Sequence, residues 1–129
     1  MLERRACRRF VILGATVVVQ VRGLLESQKP VPDDVYPVVD LSKGGICFFS
    51  DRAPKEDKEV TLLLNFSEHG GPLLLEGKVI YISVNKGISY QYRVGVQFKP
   101  FGNRDGYNPV DRLAKLEELE KTYGAGRKQ

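Results

Sequence analysis

The chain has 129 residues, 42% of them hydrophobic and 28% charged, with a formal net charge of +4. That is enough chain and enough apolar content for one domain with a single core, which excludes wholesale disorder. No apolar run reaches the ~20 residues needed to span a bilayer. Cys7 and Cys47 form no CxxC pair, which argues against a zinc site or a disulfide scaffold and favours a reducing cytoplasm.

The chain opens with MLERRACRR, which sets Arg4, Arg5, Arg8 and Arg9 against Glu3 and holds +3 of the net +4. Charge placed this way points to an anionic partner met by an N-terminal arm. Arginine, used here without lysine, adds planar recognition. A guanidinium binds phosphate bidentately, hydrogen-bonds the O6 and N7 edge of guanine, or stacks on a base. A frayed, solubilising terminus has the same composition.

Residues 10–21, FVILGATVVVQV, read as one long strand with a bend at Gly14, and not as a signal peptide, because no small-residue cleavage site follows. Residues 22–34 hold Gly, two Pro and two Asp and form a loop. Val35–Asp40 is a short strand in which Pro37 suits an edge or a bulge. Residues 45–50, GICFFS, form the next strand, and 52–59 are a charged loop. A strand over 60–66 and a turn at 67–72 follow. Residues 73–84 and 90–98 then pair as a hairpin across 85–89. Six short strands joined mostly by tight turns predict a small, closed, antiparallel β-barrel, since closure removes exposed edges.

The period then changes. Residues 108–124 place Val110, Leu113, Leu116, Leu119 and Tyr123 on one helical face, with Asn108 as N-cap, Pro109 in the first turn and Gly124 as the stop. That face must dock on the barrel or on a second copy of the chain.

The stretch DLSKGGICFF, residues 40–49, is small and polar before it turns apolar. As a plain turn, Asp40 and Ser42 bond local backbone and the glycines tolerate positive φ. The same atoms also form a cradle: a carboxylate accepts from guanine N1 and N2, a serine donates or accepts, and glycine admits close approach. His69, the lone histidine, sits in a Gly-rich turn and reads as a surface residue. Tyr81, Tyr90 and Tyr92 alternate with apolar residues and read as core or sheet-face residues in preference to a base-stacking platform. With no second histidine, no recognisable carboxylate pair and no nucleophile motif, an enzyme is disfavoured.

Together the arm and the small polar loop resemble the PilZ family of cyclic di-GMP receptors, whose signature is RxxxR before the first barrel strand and (D/N)xSxxG further on. Asp40, Ser42 and Gly45 match the second motif in full. The first can be read as Arg4 with Arg8 or as Arg5 with Arg9. The second frame is preferred because Arg9 abuts the apolar strand, and Arg4 then makes the RRxxxR form. GKVIYIS and YRVGVQF resemble the family's later strands, so the likeness runs over residues 3–101.

The resemblance implies an all-β, six-stranded PilZ barrel over 10–101, an arginine-rich ligand-binding arm over 1–9 and a C-terminal helix over 108–124. It also implies a cytoplasmic cyclic di-GMP receptor that changes conformation and relays the signal to a protein partner. The implied ligand set is Arg4, Arg5, Arg9, Asp40, Ser42 and Gly45, with Arg8, Lys43 and Gly44 as further candidates and no metal. The RRxxxR form implies two ligand molecules per chain. The alternatives are a PilZ-like interaction module that binds no nucleotide, or a small barrel that binds single-stranded nucleic acid through the arm.

Overall fold

The computed structural model describes residues 8–21, 35–52, 54–66, 72–86 and 89–124. Six strands, β1 (Thr16–Val21), β2 (Val35–Leu41), β3 (Gly45–Ser50), β4 (Glu59–Asn65), β5 (Leu73–Val84) and β6 (Tyr92–Phe98), close into an antiparallel barrel. Their order around it is β1-β2-β3-β6-β5-β4. Alternation within the strands fills the interior: Val17, Leu41, Ile46, Phe48, Val60, Leu62, Leu64, Leu75, Val79, Val94 and Val96 are all buried. The six-stranded closed barrel expected from the alternation and the turns is the fold.

The first strand is shorter than its composition predicts. Gly14 adopts φ 83°, which breaks residues 10–21 into a lead-in and a strand that begins at Thr16. The lead-in is nonetheless anchored. Phe10 is fully buried and exchanges both backbone hydrogen bonds with Leu41, at 2.8 and 2.9 Å. Likewise β6 begins at Tyr92, two residues later than expected.

Helix α1 (Val110–Leu119) continues into a π-helical turn, Glu120–Gly124. Leu116 and Leu119 are buried in the barrel's core cluster and Tyr123 packs partly against it, so the helix docks on its own barrel. Val110, placed on that face by the 3.6-residue period, is 53% exposed instead. Asn108 is not the cap. Its side-chain carbonyl accepts the Glu76 N–H at 2.8 Å, and its amide donates to the Glu76 and Lys99 carbonyls, each at 3.0 Å. An asparagine spent on pinning the connector to β5 has no atoms left for the helix N-terminus, where Pro109 stands with no side-chain cap. Among the described residues, no helix is long and apolar enough to cross a membrane.

Candidate functional site

Two β-bulges shape one side of the barrel. The β2–β3 register shifts between Val38 and Asp40, and the β5–β6 register shifts between Val79 and Tyr81. An extra residue at each point re-aims the side chain that follows. The result is a continuous row across four strands: Asp40 opposes Cys47, Cys47 opposes Gly95, and Gly95 opposes Tyr81. Directly opposed residues share a face. The neighbours Ile46, Phe48, Val94 and Val96 fill the core, so this row faces outward.

The floor of the row is small. A Cβ on Gly95 would sit 2.2 Å from a ring carbon of Tyr81, and one on Gly45 would sit 2.4 Å from the Val96 carbonyl oxygen. Neither glycine is present for a positive φ, which among the described glycines only Gly14 and Gly106 adopt. Close approach, and not turn conformation, therefore requires Gly45 and Gly95. Arg9, Asp40, Ser42, Gly44, Gly45 and Tyr81 all line the concavity above this floor.

At one end of the row Arg9 Nη1 donates to both carboxylate oxygens of Asp40, at 3.2 and 3.4 Å, across 31 residues of sequence. Both side chains remain partly exposed, 49% for Arg9 and 23% for Asp40, so a solute can reach either partner. Beside them Ser42 builds the turn. Its Oγ accepts from the Gly44 and Gly45 N–H groups at 3.1 and 3.2 Å, while its own N–H donates to the Gly45 carbonyl at 2.9 Å. The Gly44 carbonyl accepts from the Phe98 N–H at 2.9 Å, which ties the turn to β6. The local turn chemistry expected of the serine is thus present, and it fixes the loop against the site.

At the other end the Tyr81 hydroxyl donates to Cys47 Sγ at 3.3 Å. Burial, reinforced by that hydrogen bond, pushes the Tyr81 phenol up to about 12. Burial also raises the thiol of Cys47, a free buried cysteine. Both groups stay neutral through the physiological range.

Of the residues expected at the site, the structure brings Arg9, Asp40, Ser42, Gly44 and Gly45 together. Arg4 and Arg5 lie outside the described residues. Arg8 and Lys43 go elsewhere. Arg8 lies along the C-terminal turn, its Cδ 3.7 Å from where a side chain on Gly124 would begin. Lys43 Nζ stands 3.8 Å from Glu120 Oε1. Adjacent residues of an extended segment point oppositely, and Arg8 and Arg9 do so here. Sequence reading left Cys47, Gly95 and Gln97 out of the site and took Tyr81 for a core or sheet-face residue, yet all four line the concavity.

A family model for the PilZ domain matches residues 3–114. The chain belongs to the PilZ domain family. Its barrel is similar to that of the Bacillus subtilis inhibitor of motility MotI/DgrA, with TM-score 0.65 and 15% identity over 98% of this chain and 54% of that one. It is also similar to the MrkH–c-di-GMP complex from K. pneumonia, with TM-score 0.67 and 19% identity over 98% of this chain and 56% of that one. At these identities the likeness is one of fold, and this PilZ chain spans about half the length of each neighbour. No curated protein matches the sequence.

Proposed function

We propose that this PilZ chain is a receptor, not an enzyme, that binds cyclic di-GMP on the outward row of β2, β3, β6 and β5 and relays its presence to a protein partner. The observation that carries the reading is the Arg9–Asp40 pair. It joins the arginine arm to the Asp40–Gly45 loop at 3.2 Å, the place where an anionic guanine ligand needs both a guanidinium and a carboxylate. Family membership and the likeness to a c-di-GMP complex support the choice of ligand.

Binding is then an exchange of partners. Arg9 leaves Asp40 for a phosphate or for the O6 and N7 edge of guanine, and Arg5 adds a second guanidinium for the same ligand. Asp40, once freed, accepts from the N1 and N2 donors of a base. The Ser42 turn presents its backbone, and Gly45 keeps that surface clear of side chains. Two ligand molecules carry four phosphate charges, and Arg4 supplies the further guanidinium that such a pair requires. The exchange at Arg9, next to the buried Phe10, changes the surface that a partner protein reads.

The test is calorimetry with cyclic di-GMP, against GTP, GMP and a short oligonucleotide. Selective binding of cyclic di-GMP at two molecules per chain is expected, falling to one in Arg4→Ala. Sequence-tolerant oligonucleotide binding with a steep salt dependence would replace this reading with a nucleic-acid barrel. Binding of none of the four would leave a protein-interaction module.

A further inference from the structure

The outward face of β3, β6 and β5 does not end at Cys47, Gly95 and Tyr81. Two residues further along these strands Phe49 opposes Arg93, and Arg93 opposes Ser83. This second row shares the face and lies about 7 Å from the first, because Phe48, Val94 and Ile82 between them turn inward. None of its residues lines the concavity above Gly45 and Gly95. Its groups are held in place. The Arg93 guanidinium stands 5.6 Å over the Phe49 ring, and Tyr90 stacks on the same ring at 6.2 Å with 5° between the planes. Tyr90 is fixed in turn: its carbonyl accepts from Asn85 Nδ2 at 3.0 Å, and its ring meets Tyr36 edge to face at 6.0 Å.

Arg93 is the cation out of place. Arg9, Lys43, Lys99 and Arg112 each stand beside a carboxylate. Arg93 is exposed and pairs with none among the described residues, and Asp51, just past the end of β3, accepts from the Tyr36 hydroxyl at 2.8 Å. A guanidinium held over a ring has already lost much of the freedom that binding would otherwise cost, and its fork of N–H donors matches a carboxylate. The rings beside it offer contact area of the kind that anchors protein interfaces. A nucleic-acid base is the poorer fit, because Phe49 already has its stacking partners and a base would have to displace one.

We propose that the Phe49–Arg93–Ser83 row is a docking surface for a protein partner, one that presents a carboxylate to Arg93 beside an apolar side chain that packs on Phe49 and Tyr90. A partner seated there adjoins the ligand row, so it touches this protein and the bound nucleotide together. That link to the nucleotide rests on the proposed cyclic di-GMP reading, whereas the chemistry of the surface does not.

The test titrates two end-blocked tripeptides, Glu-Phe-Glu and Lys-Phe-Lys, and a short oligonucleotide into the parent chain, Arg93→Ala and Arg93→Lys. Amide chemical shifts report the binding, and a melting curve is taken for each chain. Because Arg93 is exposed, its variants keep the fold. Glu-Phe-Glu should shift Phe49, Tyr90 and Arg93 with a dissociation constant on the order of 1 mM, as suits a minimal stand-in for the partner. Arg93→Ala should weaken it by about tenfold or more, the loss of a charge-assisted contact. Arg93→Lys keeps the charge and loses the fork, and should fall between the two. Lys-Phe-Lys should leave all three residues unmoved. Cyclic di-GMP should bind Arg93→Ala within roughly threefold of the parent, since Arg93 stands outside the concavity. No shift at these residues with Glu-Phe-Glu, equal binding in Arg93→Ala, or a stronger response there to the oligonucleotide overturns the docking surface. So does a larger loss of cyclic di-GMP affinity in Arg93→Ala, which would move Arg93 into the nucleotide site. A parent that takes the peptide at Arg93 and binds no cyclic di-GMP overturns the receptor reading and leaves the surface standing.

Discussion

The barrel has a regular side and an irregular side. On the regular side β1, β4 and the first part of β5 pair in unbroken register, and the outward row Val18–Leu63–Leu74 is made of bulky apolar residues. On the irregular side the β2–β3 and β5–β6 ladders each slip by a residue, and the outward row Asp40–Cys47–Gly95–Tyr81 has a small floor between a carboxylate and a phenol. One barrel thus divides the work. Regular pairing gives stability, and the slips place side chains that no uniform ladder would bring onto one row.

If that division holds, the two sides should respond differently to substitution. The largest effect on stability belongs to the regular side. Leu62 is fully buried, and Leu62→Ala should cost about 2–5 kcal/mol in denaturant unfolding while the folded fraction keeps its ligand affinity. Lost affinity without lost stability would erase the distinction. On the irregular side, Asp40→Ala and Arg9→Ala should each weaken cyclic di-GMP binding by about 1–3 kcal/mol, the worth of charge-assisted hydrogen bonds. Their effect on stability should be under about 1 kcal/mol, because the pair is partly exposed. Ser42→Ala falls between the two. It removes the acceptor of two backbone N–H groups, so the loop should loosen, with a stability loss of about 1 kcal/mol and a comparable loss of affinity.

The smallest effect is one of pH. Tyr81 and Cys47 titrate above their ordinary values when folded, so each contributes stability that is complete below its unfolded pKa. That stability is lost as pH rises from about 9 towards about 12. Denaturant midpoints at pH 8 and pH 11 should therefore differ less in Tyr81→Phe than in the parent. An equal fall in both would place the alkaline loss outside the Tyr81 phenol.

Much of this was legible in the sequence, and the rest was not for identifiable reasons. Alternation gave all six strands, and Asp40, Ser42 and Gly45 stood out because their small polar run interrupts it. Arg9 was separable from Arg8 only through its place beside the anchored Phe10. Tyr81 was hidden by register. A hairpin closed over residues 85–89 pairs Val84 with Tyr90 and puts Tyr81 opposite Arg93, whereas the actual ladder starts at Val84 and Tyr92 and puts it opposite Gly95. Register is settled by packing between strands, which local pattern does not encode. Asn108 misled for a related reason. Its type and position suited a helix cap, but its side chain went to the Glu76 and Lys99 backbone, segments 32 and 9 residues away in the chain.

The central claim is that the irregular row is the ligand face. Amide chemical-shift mapping during titration with cyclic di-GMP tests it most directly, because it reads both sides of the barrel at once. The account predicts the largest shifts at Arg9, Asp40, Gly44, Gly45, Cys47, Tyr81 and Gly95, with Val18, Leu63 and Leu74 nearly unmoved. Shifts centred on Val18, Leu63 and Leu74, with the row unmoved, would contradict it.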